Sequence, residues 1–389
     1  FSDVTASSGV GSALTGITGF TVRFCDMNQD RYPELLWIGD FGTTHYLRNN
    51  GNGTFTDLTN SAGVGLDGTE MGHAVADFDR DGDFDWYVTT INTNNLYRNN
   101  GNHSYTQIAE QAGPVSTGWG WATVAVDFNH DTLIDIAATS QSSGQYFYRN
   151  TSTALPTLSF FFNSAGFTSS NSGRGLANLD YDNDGDQDLV LFNYSGPVQL
   201  FRNNVAGAPD AHWLRIQLGH GNEPDLPPNG VGAVIHVTAG GISQMGRLDA
   251  GSNYQSQSEL FAHFGLGTAT LVDSILVEWP NGSSTVVLDV AADQTVFIEP
   301  GIPFLRGDVN DDAMVNVADI VGSAVAIFGL QAPKCYRSVD TNGDGLADIT
   351  DVVFLAAHLF LGATPPPAPF PSCAVGPVNS LPCTDSACL

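Results

Sequence analysis

Four times in the first half of the chain an acidic loop recurs with the same internal spacing, at intervals of about 50 residues. Each copy places an oxygen-bearing side chain at its first, third, fifth and ninth positions. The four sets are Asp26, Asn28, Asp30 and Glu34; Asp77, Asp79, Asp81 and Asp85; Asp127, Asn129, Asp131 and Asp135; and Asp180, Asp182, Asp184 and Asp188. Alternate residues along a turn can face one centre, and the carbonyl of position seven fills the gap. Hard oxygen donors in that arrangement suit Ca²⁺ far better than Zn²⁺ or copper. A lone Asp-x-Asp-x-Asp is as well explained by the turn preference of Asp and Asn. Four copies in register ask for more than turn chemistry, and the spacing predicts calcium.

The surroundings repeat as well. An apolar run follows each loop (Leu35–Ile38, Trp86–Val88, Ile136–Ala138, Leu189–Phe192), and an Arg-Asn pair follows each run: Arg48-Asn49, Arg98-Asn99, Arg149-Asn150 and Arg202-Asn203. The Asn-Asn-Gly stretches at 49–51 and 99–101 read as tight hairpin turns. Short strands are expected past them at Phe55–Thr59 and Tyr105–Ile108, and Phe1–Thr5 reads as the same strand without a preceding repeat. A period of this length with several short strands predicts a propeller or a related β-array, whose units bury their faces only by stacking. The strand at Phe1–Thr5 would then complete the sheet at the far end of the repeats or pair with a neighbouring molecule.

Residues 1–205 resemble FG-GAP or VCBS repeats, a family whose blades carry Asp-rich calcium loops and assemble into propellers. Loops one and three depart from the pattern, with Arg31-Tyr32-Pro33 and Thr132-Leu133 in place of the usual Gly-Asp. Weaker or more rigid sites are expected there.

Residues 206–302 read as all-β, from the alternation in His212–Ile216 and Val234–Val237 and the turn Pro280-Asn281-Gly282. With Asn229–Ala233, His263–Gly267 and Ile275–Gly282, this stretch resembles the ASPIC/UnbV domain, and that resemblance implies architecture without a chemistry. In residues 303–363 Asp308, Asn310, Asp312, Asn316 and Asp319 take positions 1, 3, 5, 9 and 12 of a twelve-residue loop. Asp340, Asn342, Asp344, Asp348 and Asp351 repeat it, with Gly345 at the sharp turn and Ala313 in its place in the first copy. Helices are expected at Ile320–Phe328 and Val352–Leu361. This pair of half-hands resembles a dockerin module, which implies two calcium ions and docking onto a cohesin-like domain. The expected fold is therefore mainly β, a propeller-like array plus an all-β domain, with a small helical module and a Pro-rich, Cys-containing tail from residue 364.

Composition agrees with about six calcium ions. The chain has 41 acidic and 13 basic residues, and about half of the acids sit at proposed ligand positions. Six divalent ions would move the formal charge from −28 to about −16. So acidic a surface excludes nucleic acid as a natural partner. Cys335, Cys373, Cys383 and Cys388 crowd the last part of the chain and allow three pairings, of which Cys335–Cys373 with Cys383–Cys388 is favoured. Cys25 reads as a small core residue. Disulfides and calcium loops place the chain outside the cell, secreted or at a cell surface. A start at Phe1 fits removal of a signal peptide, and no stretch is apolar enough to span a membrane. Asn52, Asn102, Asn150 and Asn281 head glycosylation sequons.

No metalloprotease, serine-hydrolase or phosphate-loop motif occurs. Trp119 with Trp121, and Met71 with His73, lie just upstream of acidic loops, where they would line an axis and touch a glycan or, more simply, pack between sheets. Three functions fit these observations. The chain is expected to be a non-enzymatic, calcium-binding extracellular interaction protein that docks through its helical module. The alternatives are a filament subunit joined through the Phe1 strand and that module, and a secreted carbohydrate-active enzyme with a docking tag.

Overall fold

Each of the four acidic loops closes the hairpin between the first two strands of an antiparallel sheet. In the computed structural model these hairpins have one register: Cys25 faces Glu34, Ala76 faces Asp85, Val126 faces Asp135 and Leu179 faces Asp188. The ninth loop position is thus always the first residue of the second strand. The structure describes all residues except 66–67, 113–115, 142–143, 153–157, 161–165, 205–209, 222, 252, 302–304 and 372–389.

The first sheet runs Thr18–Cys25, Glu34–Asp40, His45–Asn49, Phe55–Asp57, and the second His73–Ala76, Asp85–Val88, Asn95–Asn99, Tyr105–Gln107. The third contains Gly118–Val126, Asp135–Ser140, Tyr146–Asn150 and Leu158–Phe160, with Ile91–Asn92 added beside Gly118–Trp119. Gly173–Leu179, Asp188–Asn193 and Gln199–Phe201 make a fourth sheet of three strands. Second strands are buried almost throughout, because successive sheets pack face to face, and this is why they read as unbroken apolar runs. Leu36, Ile38 and Tyr46 meet Trp86, Val88 and Tyr97 in one cluster. Phe78, Tyr87 and Leu96 meet Ile136 and Tyr148 in the next, and Trp121 and Val124 meet Leu176 and Leu191 in a third.

Residues 212–298 form two further sheets. His212–Leu218 lies between Ala262–Gly267 and, in parallel, Gln294–Ile298; the other sheet runs Ile242–Arg247, Val234–Ala239, Leu271–Glu278, Ser284–Ala291. They share a core that includes Leu214, Ile235, Val237, Phe264 and Trp279. The connection between Arg247 and Ala262 reaches into the repeats. Asn253 accepts from the Thr123 amide at 2.9 Å and donates to the Leu176 carbonyl at 2.8 Å. Tyr254 packs on Trp121 and Phe20, and Asp249 pairs with Arg23 at 3.2 Å.

Several expectations change. Phe1–Thr5 forms no strand and is paired with none of the strands among the described residues. The strand at Phe55 stops at Asp57, whose Oδ1 accepts from the Thr59 amide and starts the short helix Thr59–Ala62. The later helices begin a turn earlier than expected, spanning Val317–Ile327 and Ile349–Leu361, because Asn316 and Asp348 serve as their N-caps. Asn150 is buried, so its sequon is closed to glycosylation, whereas Asn52, Asn102 and Asn281 are exposed. Cys25 is buried. Met71, His73 and Trp121 are packed inside, and Trp119 stacks on Trp121 with its own face partly in solvent. Of the two cysteine pairings only Cys335 lies within the described residues.

Candidate metal-binding loops

One backbone conformation serves all six acidic loops. Position four has positive φ in each (Gln29, Arg80, His130, Asn183, Asp311, Gly343), and so does position six (Arg31, Gly82, Thr132, Gly185, Ala313, Gly345). Departures from Gly at position six therefore leave the turn intact, at a cost of about 1–2 kcal/mol for a side chain held in the left-handed region.

Main-chain amides fasten the acids in the same way each time. The first-position carboxylate accepts from the amide of position six at 2.6 Å in Asp26 and Asp127, and at 2.8–3.3 Å in the other four loops. The fifth-position carboxylate accepts from position seven: Asp30 from Tyr32, Asp81 from Asp83, Asp131 from Leu133, Asp184 from Asp186, Asp312 from Met314 and Asp344 from Leu346. In the repeats the ninth-position acid bridges outward. One oxygen accepts from the amide of position two, as in Asp85 with Phe78 at 3.2 Å, and the other from the Asn of the Arg-Asn pair, as in Asp85 with Asn99 at 2.8 Å. In the two C-terminal loops position twelve takes over that task. Asp319 accepts from the amides of Val309 and Asn310, and Asp351 from that of Asn342.

Some oxygen atoms at the candidate ligand positions are left over. Asn28 Oδ1, Asn129 Oδ1 and Asp180 Oδ1 are buried acceptors at candidate ligand positions with no hydrogen-bond partner among the described residues. Buried acceptors are rarely left unmatched, and these match the oxygen chemistry of Ca²⁺. Carboxylates converge most closely where position three is Asp. Among the described residues, Asp77, Asp79 and Asp85 bring one oxygen each within 4.8 Å of the others, and so do Asp180, Asp182 and Asp188. In loops one and three the third-position amide turns its nitrogen to the fifth acid, Asn28 to Asp30 and Asn129 to Asp131, both at 2.9 Å. The same contact links Asn310 to Asp312 and Asn342 to Asp344, both at 3.0 Å.

Burial and mutual repulsion act on these acids together. Burial pushes Asp77 and Asp127 up to about 7 and Glu34 to about 8, with neighbouring loop carboxylates adding to the effect. Asp85 and Asp135, fully enclosed, are pushed well above the usual carboxylate range. A divalent ion would remove this strain by supplying charge at the centre of each cluster.

The Arg-Asn pair has a role that sequence reading missed. Asn99 Nδ2 donates to the Met27 carbonyl at 2.9 Å, Asn150 to Phe78 at 3.0 Å and Asn203 to Phe128 at 2.7 Å. Each acceptor is position two of the preceding repeat's loop, so one amide ties each sheet to the loop before it. The arginines of repeats three and four turn back to their own loops: Arg149 meets Asp131 at 2.9 Å, and Arg202 meets Asp182 and Asp184 at 2.8 Å. Loop four also faces the following sheets, where Arg215 lies 3.5 Å from Asp180 and pairs with Glu259.

Comparison with known proteins agrees with this division. Residues 26–88 match the family model of the FG-GAP-like repeat, and residues 224–302 match that of ASPIC and UnbV. Cartilage acidic protein 1 of Homo sapiens is 28% identical over 300 residues, covering 72% of this chain and 43% of that protein. The Xenopus tropicalis protein of the same name is 26% identical over 224 residues, 48% of this chain and 33% of its own length. The chain thus spans less than half the length of these relatives. Among solved structures, the Vibrio cholerae biofilm matrix protein Bap1 aligns with 12% identity and a TM-score of 0.28, over 69% of this chain and 48% of that one. No helix among the described residues is long and apolar enough to cross a membrane.

Proposed function

We propose that this chain is a non-enzymatic extracellular interaction protein, stiffened by calcium in a propeller-like array of repeats and docking through its C-terminal helix pair. A duplicated apolar row carries the reading. Met314, Val317, Val321 and Phe328 are exposed along the first helix and its approach, and Leu346, Ile349, Val353 and Phe360 are exposed at the matching places of the second. Exposed apolar side chains in a repeated row mark a contact surface. The side chains that cap these helices, Asn316 with Asp319 and Asp348 with Asp351, are also the last ligand positions of the two loops. Ion binding and presentation of the row are therefore coupled: an ion that fixes the caps fixes the helices that carry it. The partner fitting such a surface is a folded protein domain of the cohesin-like kind.

Calcium titration by calorimetry, followed by capture on immobilised cohesin domains in calcium and in EGTA, tests both halves. Heat of binding, and capture that disappears in EGTA and in the double variant Val321→Asp, Val353→Asp, are expected. A chain that takes up no calcium, or is captured equally in EGTA, refutes the reading.

A further inference from the structure

The acidic loops occupy one end of the sheets, and the other end of sheets three and four has the opposite chemistry. No Asp or Glu occurs between Glu110 and Asp127, between Asp135 and Asp180, or between Asp188 and Asp210. Of the arginines in these stretches, Arg149 and Arg202 turn to the loops. Arg174 alone stands at the far end, on the strand Gly173–Leu179. Trp119 begins the strand Gly118–Val126, and at about 3.3 Å per residue it lies about 25 Å from the loop that opens at Asp127. Salt screens charge beyond about 8 Å, so the loop acids scarcely act on this surface.

Four side chains form a ladder there. Trp119 stacks on Trp121, with ring centres 6.3 Å apart and planes 16° from parallel. The Arg174 guanidinium lies 4.1 Å from the centre of the Trp121 ring and 5.1 Å from that of Tyr194. Phe20 and Tyr254 pack against Trp121 at 5.6 and 5.0 Å and hold it in place. Backbone bonds fix the outer members. The Gln141 amide donates to the Trp119 carbonyl, and the Tyr194 amide to the Ser172 carbonyl, both at 2.8 Å. Trp121 is buried, but Trp119 and Tyr194 are 37% and 74% exposed. Arg174 Nη1 donates to Ser172 Oγ at 3.0 Å and to the Gly173 carbonyl at 3.1 Å, and Nη2 donates to Gln141 Oε1 at 2.7 Å. A guanidinium has five N–H groups, and among the described residues the other two of Arg174 have no acceptor.

We infer that this ladder binds an acidic saccharide, with a sugar carboxylate on the remaining N–H groups of Arg174 and sugar rings laid on Trp119 and Tyr194. A guanidinium stacked on aromatic rings keeps its edge for a carboxylate, which accepts from two N–H groups at once. An exposed indole or phenol ring offers a flat apolar face with a wet rim. The C–H face of a sugar ring covers such a face, and its hydroxyls meet Gln141 and Ser172, which frame the guanidinium. A neutral sugar would leave the N–H groups of Arg174 without a partner, and a bare carboxylate would leave both rings uncovered. A ligand carrying both answers the whole ladder. The site shares no residue with the acidic loops or the helix pair, so it stands whether or not the docking reading does.

Calorimetric titration of the whole chain with a uronic-acid tetrasaccharide, its carboxyl-reduced counterpart and an acidic peptide carrying Tyr tests this. The tetrasaccharide is expected to bind, less tightly as salt rises, and the reduced sugar to bind about tenfold more weakly. Arg174→Gln should lose about tenfold in affinity for the acidic sugar and no longer tell it from the reduced one. Trp119→Ala and Tyr194→Ala should each weaken both sugars severalfold, while Phe297→Ala, an exposed aromatic of the following sheets, changes nothing. Melting temperatures check the fold of each variant, and the exposed Tyr194→Ala carries the ring test should Trp119→Ala not fold. No heat with the tetrasaccharide at millimolar concentration overturns the inference, as does affinity unchanged in Arg174→Gln and Tyr194→Ala. Equal binding of the reduced sugar removes the role of the carboxylate, and a peptide bound more tightly than the tetrasaccharide overturns the choice of ligand.

Discussion

Asn150 Nδ2 lies 3.0 Å from the carbonyl oxygen of Phe78, so one side-chain amide joins the third sheet to the acidic loop of the second. Both partners are buried, and the Asn150 amide N–H also donates to Asp135 at 2.8 Å. Replacing Asn150 by Ala leaves the Phe78 carbonyl unmatched in a dry place, which costs about 2 kcal/mol. Urea unfolding of Asn150→Ala in calcium should show that loss, while exposed Asn52→Ala should stay within about 0.5 kcal/mol of the parent.

Glycan occupancy should follow the same burial. Expressed in a glycosylating host, the chain is expected to carry glycan at some of Asn52, Asn102 and Asn281, which are exposed, and none at Asn150. Mass spectrometry of tryptic glycopeptides reads this directly. Glycan on Asn150 would mean that the inter-sheet tie forms late or not at all.

The calcium-free chain should weaken as pH rises. Asp77, Asp127 and Glu34 have folded-state values raised to about 7, about 7 and about 8 by burial. A raised value means the folded state holds protons that the unfolded state gives up, so this stabilisation is complete below about pH 4 and lost through about pH 8. Calcium competes with those protons and binds best where they have left. In EGTA the melting temperature should fall between about pH 5 and about pH 8, and the gap between calcium and EGTA should widen over that window. A gap that narrows with rising pH would count against calcium at these acids.

Ala313 holds φ 64 at the sixth position of its loop, where Gly345 stands in the sister loop at φ 86. Ala313→Gly relieves the strain but frees the unfolded chain, and the balance favours the variant by about 0.5–1 kcal/mol. Thermal unfolding in EGTA isolates this backbone effect from ion binding.

Cys25 offers a probe of the array itself. Burial pushes its thiol up to about 12, and it sits beside the first acidic loop at the end of the first strand. Alkylation should be negligible in calcium and should rise when chelation loosens the first sheet. Equal labelling in both conditions would show that the first loop does not hold that sheet together.

Much of this was legible because it is local. The alternation of acids, the apolar second strands and the Asn-Gly turns declare themselves within a dozen residues, since loop geometry and strand pairing depend on near neighbours. The helix starts were misjudged by one turn for a local reason too: Asn316 and Asp348 were counted as ligands and not as caps. What sequence could not give was distance. Asn99 and Met27 are 72 positions apart and nothing in either flank names the other. Asn253 likewise sits in a stretch with no periodicity, yet fits between the first strands of the third and fourth sheets. The recurrence of Asn after Arg in every repeat was the available signal, and only the stacked sheets show what it does.

Left-handed backbone at positions four and six of all six loops persists whether the residue is Gly, Ala, Thr or Arg. What has been copied is a shape of main chain, and the ligands are a variable text written on it. A chain made this way can exchange Asp for Asn at the third position, one loop at a time, and refold nothing. On the proposed reading its ion affinities would spread over a range as the text drifts. Such a molecule would answer the calcium around it by degrees, firming one loop after another like a dial being turned, with no single threshold at which it becomes rigid.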